Sequence, residues 1–193
     1  MRTATDTDLI SFGDWTLRVR GSQSPNPRLV VLLHGWTGDE NSMWIFTRGL
    51  SPDYWMIAPR APYSADPNGF SWRPLQPGTF GTPSFEALAP SAEALIRLID
   101  EYSASVKLEA QQFDLMGFSQ GAAMVNTIGL LYPRRVDKMG VLAGFLRENG
   151  LLQEADQELS LALQLAEDAD LEGQLIGERL PVDAADIVSF EAV

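Results

Sequence analysis

Residues 113–124 read Phe-Asp-Leu-Met-Gly-Phe-Ser-Gln-Gly-Ala-Ala-Met, and this stretch decides the fold. A short apolar segment ends in the pattern Gly-x-Ser-x-Gly, centred on Ser119, and residues compatible with a helix follow. A strand, a sharp turn and a helix in this order expose a serine above a sheet as a nucleophile. Glycines at 117 and 121 remove side chains that would collide across so tight a turn. The stretch therefore predicts attack of Ser119 on an acyl carbon, with the backbone N–H of Gln120 facing the developing oxyanion.

The segments around this turn alternate between strand and helix patterns. Strands are predicted at 15–19, 29–33, 54–58, 113–116 and 136–142, and helices at 84–102, at 120–132 and from an N-cap at Asp39 or Asn41 to Leu50. Residues 61–83, rich in proline, glycine and aromatics, are predicted to form a long irregular loop. The alternation predicts an α/β fold with a mostly parallel sheet and helices on both faces.

Charge divides the chain into a nearly neutral body and an acidic tail. Residues 1–150 carry 15 acidic and 13 basic side chains, whereas residues 151–193 carry 11 acidic and one basic. The net charge of −12 argues against a nucleic-acid partner. The tail is predicted to hold one amphipathic helix at 151–169 and a short strand at 186–190. This helix either packs on the sheet edge or binds a basic or apolar partner.

Composition excludes several classes of site. The chain has no cysteine, which excludes disulfides, thiolate zinc sites and cysteine nucleophiles. Its longest strongly apolar run is far too short to span a bilayer, and its first residues do not form a secretory signal. The expectation is a soluble, cytoplasmic protein with no metal and no cofactor.

A second motif precedes the serine turn. Residues 32–41 read Leu-Leu-His-Gly-Trp-Thr-Gly-Asp-Glu-Asn, so a strand ends in His-Gly and a glycine-containing loop follows. The backbone N–H of Trp36 is the best candidate for a second oxyanion donor. His34 is the only histidine in the chain. It is either a general base or a structural residue that hydrogen-bonds the loop behind Ser119, and the structural role is favoured because the base of such enzymes follows the serine.

These pieces resemble the phospholipase/carboxylesterase family of α/β-hydrolases, which includes the acyl-protein thioesterases. Besides 32–41 and Gly-Phe-Ser-Gln-Gly at 117–121, the matching pieces are Pro-Arg-Ala-Pro-Tyr at 59–63, the region of Trp72, and Val-Leu-Ala-Gly-Phe-Leu at 141–146. The resemblance covers residues 12–147 and implies an α/β-hydrolase domain over 1–193, with 148–193 as a divergent acidic tail. It gives Ser119 the nucleophile role and the oxyanion role to Trp36 and Gln120. It also implies that the loop holding Trp72 lines an acyl pocket; the alternative is that Trp72 is a core or surface aromatic.

The chain departs from the family pattern after residue 147. The family continues with a catalytic aspartate and a late Gly-His that supplies the base, and no histidine follows Ser119 here. Aspartates that could be named as the triad acid are Asp168, Asp170, Asp183 and Asp186, but an acid has no role without an imidazole to orient. The expectation is a serine hydrolase whose C-terminal part is shortened or replaced and whose activity is weak or absent.

Three hypotheses remain for the function. The first is a serine carboxylesterase or thioesterase, acting on small acyl esters or thioesters, that has lost its C-terminal part. The second is a non-catalytic protein that binds an acyl ligand on the same scaffold. The third is an active enzyme that uses His34 or a histidine from a second subunit. A shortened sheet also predicts an exposed edge, and with it a homodimer.

Overall fold

A seven-stranded mixed sheet organises the part of the chain that the computed structural model describes, which is residues 7–74, residues 83–143 and the backbone of 189–190. Its elements are β1 (Asp8–Phe12), β2 (Trp15–Arg20), β3 (Leu29–Leu33), a 3₁₀ helix (Ser42–Thr47), β4 (Trp55–Pro59), β5 (Tyr63–Ser64), β6 (Phe70–Ser71), α1 (Phe85–Val106), β7 (Phe113–Phe118), α2 (Gln120–Leu131), β8 (Val136–Leu142) and β9 (Ser189–Phe190). Strands β5 and β6 form a separate two-stranded sheet.

The order of strands in the large sheet is β1-β2-β4-β3-β7-β8-β9. The pairs β1–β2 and β2–β4 are antiparallel, and every other pair is parallel. The register pairs Leu33 of β3 with Gly117 of β7. The two loops that carry the candidate motifs therefore leave the sheet side by side, because the carboxyl ends of parallel strands meet at one edge.

Side chains alternate along β3 between two cores. Leu29, Val31 and Leu33 belong to the larger core, which contains the apolar faces of both α1 and α2. Val30 and Leu32 face a smaller core that includes Met43 of the 3₁₀ helix. Burial on both faces explains why this strand is apolar throughout.

The mostly parallel sheet is confirmed, and so are the strands predicted near 15–19, 29–33, 54–58, 113–116 and 136–142. The helices predicted at 84–102 and 120–132 are confirmed as α1 and α2. Within the described ranges both α-helices pack into the larger core on one face of the sheet. The short 3₁₀ helix packs on the opposite face. The predicted strand at 186–190 appears in part as β9, whereas the tail helix at 151–169 lies outside the described residues.

Two local predictions were wrong. The helix expected to run to Leu50 is a six-residue 3₁₀ helix, and Asn41 makes no capping hydrogen bond; its side-chain N–H groups donate to Asp39 and Glu40. The loop expected at 61–83 contains the β5–β6 hairpin. Strand β1 was not predicted, although Gly13 and Asp14 form the two-residue turn typical of a hairpin between it and β2.

Candidate active site

Ser119 lies at the junction of β7 and α2, in a backbone conformation that L-residues rarely adopt. Its φ is 52° and its ψ is −114°. Such a conformation costs of order 1–3 kcal/mol for a residue with a Cβ and tends to occur at functional sites. Ser119 occupies the N-cap position of α2, yet its hydroxyl makes no capping hydrogen bond. Its backbone N–H donates to the Leu142 carbonyl of β8 at 2.8 Å, which fixes the residue above the sheet.

Glycine is required on both sides of Ser119. A Cβ on Gly117 would lie 2.3 Å from the carbonyl oxygen of Gly121, and a Cβ on Gly121 would lie 2.0 Å from the carbonyl oxygen of Leu33. All of the nearest atoms belong to the backbone, so no side chain can move to make room. The close approach brings the N-terminus of α2 against the end of β3. Unpaired N–H groups at a helix N-terminus favour negative charge at such a place.

The loop after β3 begins with a four-residue turn. The N–H of Gly38 donates to the Gly35 carbonyl at 3.0 Å, and Thr37 has a φ of 63°, the sign that a type II turn requires at its third residue. A Cβ on Gly35 would lie 3.5 Å from the Ser119 Cβ. This turn, which contains Trp36, is therefore adjacent to Ser119, as the motif predicted.

His34 is buried behind this turn and is bound at both ring nitrogens. Its Nδ1 lies 2.7 Å from the Gly35 carbonyl oxygen, and its Nε2 accepts the backbone N–H of Ala61 at 3.0 Å. A carbonyl can only accept and an N–H can only donate, so the ring is the neutral Nδ1–H tautomer. Burial lowers the pKa of His34 below 6.5. No ring nitrogen remains for Ser119, which agrees with the structural role and not with His34 as the general base.

Trp72 lies wholly inside the larger core, with an exposed fraction of 0%. Its indole N–H donates to the His34 carbonyl at 2.8 Å, and its backbone N–H donates to Oε1 of Gln120 at 2.9 Å. Of the roles considered for Trp72, its burial agrees with a core aromatic, and the lining of an acyl pocket by its loop stays a prediction. Ser71 accepts a hydrogen bond from Nε2 of Gln120 at 3.1 Å.

A buried carboxylate anchors the far end of the turn. Both oxygens of Glu40 are held by Arg60, at 2.8 Å from Nε and 3.0 Å from a terminal nitrogen. These hydrogen bonds lower the pKa of Glu40, although burial opposes the shift. Burial would also raise the pKa of Asp39, but hydrogen bonds from Asn41 and Ser42 outweigh it and the pKa falls. Both acids are therefore charged and engaged in fixing the loop.

An exposed aromatic surface borders Ser119. The rings of Phe46 and Phe118 stack with centroids 5.9 Å apart, and Phe118 is 38% exposed. Trp36 and Ile45 are exposed as well. Phe118, which directly precedes Ser119, therefore presents apolar area beside the serine turn.

The structure brings together Ser119, the first turn of α2 with Gln120, and the turn that contains Trp36. Asp168, Asp170, Asp183 and Asp186 lie outside the described residues. Sequence reasoning missed the contact of the Gln120 side chain with Ser71 and Trp72, since these residues are 48 or more positions apart and no motif links them. In the described ranges no group of three or more histidine, cysteine or acidic residues could hold a metal ion, and no helix there is long and apolar enough to cross a bilayer.

Comparison with known proteins gives one family. A model of the phospholipase/carboxylesterase family matches residues 16–166. No protein of curated function matches the sequence.

Solved structures agree with this match. A carboxylesterase from Mesorhizobium loti is 21% identical with a TM-score of 0.62, over 72% of this chain and 66% of its own. The esterase PE8 is 29% identical with a TM-score of 0.52, over 70% and 65%. A carboxylesterase from Bacillus cereus is 15% identical with a TM-score of 0.62, over 72% and 64%. The chain thus spans slightly less than two thirds of the length of these proteins, and it shares their α/β-hydrolase fold.

Proposed function

The chain belongs to the phospholipase/carboxylesterase family, and from this premise we propose that it is a serine hydrolase of carboxylic esters or thioesters. Ser119 is the nucleophile, and the backbone N–H groups of Trp36 and Gln120 stabilise the oxyanion. The hydroxyl adds to the acyl carbon, the alcohol or thiol leaves with a proton, and water then releases the acid.

One observation carries the proposal: Ser119 keeps a Cβ and a hydroxyl at a φ of 52°, where glycine would be favoured. The hydroxyl makes no capping hydrogen bond, so capping of α2 does not explain why a serine occupies this strained position. A strained serine against the N-terminus of α2 is suited to attack, because the helix end favours the charge that develops on the substrate.

The aromatic surface supports an apolar acyl or aryl substrate. Phe118 and Phe46 present stacked rings next to the serine turn, and burying such rings against a ligand removes apolar area from water. This predicts faster reaction with p-nitrophenyl butyrate than with the acetate, and a loss of that preference in Phe118→Ser.

Turnover by these 193 residues is expected to be weak. A serine triad that loses its base loses on the order of a million-fold in turnover, and the one histidine of the chain, His34, is engaged at both nitrogens. Imidazole added to the solution can take the place of the absent base. We expect ester hydrolysis that rises with imidazole concentration in the wild type and does not exceed the buffer reaction in Ser119→Ala.

Labelling with a fluorophosphonate tests the proposal directly. The expected adduct maps to Ser119, forms faster in the presence of imidazole, and is absent from Ser119→Ala. Ser105→Ala is the matched control, because Ser105 is an exposed serine on α1, and its labelling should equal that of the wild type. Failure of the wild type to label even with imidazole would refute hydrolysis by Ser119.

The second candidate is a non-catalytic protein that binds an acyl ligand, and the occupied nitrogens of His34 favour it. A fatty acid at one hundred times its dissociation constant would stabilise the fold by about 2.7 kcal/mol. Thermal denaturation with and without octanoate measures this. Stabilisation without Ser119 labelling supports the binding protein, whereas labelling supports the hydrolase.

We further propose that the protein dimerises through a sheet edge and works in the cytoplasm. Within the described part of the chain, β8 is paired on its outer side only at Val141 and Leu142, the partners of β9. Free strand groups favour pairing with a second copy. A native mass equal to one chain would contradict the dimer, and recovery of the protein outside the cytoplasmic fraction would contradict the location.

A further inference from the structure

The two proposed oxyanion donors lie on different elements. Trp36 belongs to the turn after β3, whereas Gln120 begins α2. An oxyanion hole is effective only when its donors converge within about 2.7–3.1 Å of a single point. The pairing of β3 with β7 and the contact of Gly121 with Leu33 bring the two elements together. The turn that contains Trp36 lies beyond these contacts, and a further segment of the fold binds both this turn and the start of α2.

The segment Phe70–Trp72 is bound to the turn that contains Trp36. The N–H of Thr37 donates to the Phe70 carbonyl at 3.0 Å, and the N–H of Phe70 donates to the Gly38 carbonyl at 3.0 Å. A Cβ on Gly69 would lie 2.0 Å from the Thr37 carbonyl oxygen, so the two backbones are in direct contact. The indole of Trp72 adds the bond to His34 at the base of the turn.

Two of these three residues, Ser71 and Trp72, are also bound to the start of α2. The backbone N–H of Trp72 and the hydroxyl of Ser71 both bind the side-chain amide of Gln120. Ser71, Trp72 and Gln120 are all buried. Hydrogen bonds in a buried network are stronger than at the surface, because the local dielectric constant is low.

We propose that Phe70–Trp72 is a brace that sets the distance between the N–H donors of Trp36 and Gln120. The side chains of Trp72 and Gln120 are its positioning residues. Trp72 uses one N–H for each side: the indole for the strand end and the backbone for the helix end. The brace rests on the proposed function, because the donor separation matters only where an acyl carbon is attacked.

Two variants each remove side-chain hydrogen bonds of the brace and leave the backbone N–H groups of Trp36 and Gln120 in place. Trp72→Phe deletes the indole N–H but keeps an aromatic ring in the core, and Gln120→Met deletes the amide at similar size. Trp55→Phe is the matched control: its indole N–H donates to the Tyr102 hydroxyl at 3.3 Å, in another part of the core.

Amide hydrogen exchange, measured well below the melting temperature of each variant, reports how often the backbone hydrogen bonds of the turn open. The brace predicts at least tenfold faster exchange at Thr37 and Gly38 in Trp72→Phe and Gln120→Met, with exchange in β3 unchanged. Trp55→Phe should exchange like the wild type at these two residues. Wild-type exchange at Thr37 and Gly38 in both brace variants would overturn the brace.

The rate at which the fluorophosphonate labels Ser119 in imidazole measures the effect of the brace on reactivity. Loss of one aligned donor typically costs about a hundredfold or more, so the brace variants should label about a hundred times more slowly than Trp55→Phe. Faster loop exchange with an unchanged labelling rate would overturn the positioning role. If the wild type is not labelled, the proposed function is refuted. The exchange rates of Thr37 and Gly38 then test by themselves whether Phe70–Trp72 holds the turn in place.

Discussion

Replacing Gly121 with alanine should force α2 away from the sheet. The new Cβ would lie 2.0 Å from the Leu33 carbonyl oxygen, whereas ordinary contact begins at 3.4 Å, so the backbones must separate by about 1.4 Å. A gap of about 0.5–1 Å already forfeits a quarter to a half of the dispersion energy between facing atoms. Alanines 122 and 123, which are fully buried against the sheet, would lose such contacts.

The magnitude follows from two opposing effects. Alanine gains at most about 1 kcal/mol over glycine in helix propensity. Overpacking costs about 1–3 kcal/mol and more where nothing can move, and here the obstacle is backbone. With the overpacking cost set at about 3–5 kcal/mol, above the usual range because backbone cannot move aside, we expect a net loss of about 2–4 kcal/mol, which lowers the melting temperature by about 5–15 °C in a chain of this size.

Circular dichroism during thermal denaturation measures this loss against two other glycines. A Cβ on Gly49 meets no atom within 4 Å, so Gly49→Ala should stay within about 1 kcal/mol of the wild type. Gly129, also on α2, would meet only the flexible side chain of Met139, so its variant should fall between the two. The steric reasoning is refuted if Gly121→Ala melts at or above the wild type.

Three further predictions concern charge, pH and strain. Because the pKa of His34 is lower in the fold than its ordinary 6.5, the unfolded chain binds the proton first, and stability should fall as pH drops below 6.5, by at most about 1.4 kcal/mol per pH unit, in denaturant titrations. Arg60→Met removes the cationic partner of the buried Glu40 carboxylate, which keeps only neutral donors such as the Asn41 amide. Since Arg60 is 34% exposed, the cost should be about 2 kcal/mol at pH 7 rather than the 3–5 kcal/mol of a fully buried pair, measured by urea denaturation. Ser119→Gly relieves the strained backbone and should stabilise the protein by about 1–2 kcal/mol relative to Ser119→Ala, measured by calorimetry.

Each of these has its own control. His34→Asn has no imidazole, so its stability between pH 5 and pH 7 should lack this dependence, and an identical slope in both proteins would contradict the assignment. Arg97→Met breaks an exposed pair with Glu93 and should cost no more than about 0.5 kcal/mol. Equal losses in the two arginine variants, or equal stability of the two Ser119 variants, would remove the basis of those predictions.

The elements read correctly from sequence are those whose burial leaves a periodic trace. Strand β3 is buried on both faces and is continuously apolar, and α1 shows a helical spacing of apolar residues because one side packs into the core. Strand β1 was missed because most of its residues are exposed, so burial leaves no regular apolar alternation over Asp8–Phe12. The expected α-helix is a 3₁₀ helix, and the hydrogen bonds of Asn41 to Asp39 beside it are contacts between near neighbours that apolar spacing does not record.

In the candidate site too, features with a local sequence signal could be predicted and long-range contacts could not. The position of Ser119 could be predicted because two glycines and a strand pattern are local signals. The brace could not be predicted, because Gln120 lies far from Ser71 and Trp72 in the sequence and no periodic pattern indicates their contact. The two roles considered for His34 could be separated only by its contacts with Gly35 and Ala61.

The sheet register has a consequence for how the molecule is made. Val30 of β3 pairs with Asp114 of β7, 84 positions further along the chain, and the Ser119 N–H binds the Leu142 carbonyl. Closing so long a loop carries an entropic cost that is recovered only after the distant strand has arrived. A nascent chain emerging from the ribosome can form the β1–β2 hairpin early, but it holds Ser119 in place only after β8 has been synthesised. We therefore expect the serine turn to become ordered late, once the chain has been made as far as Leu142.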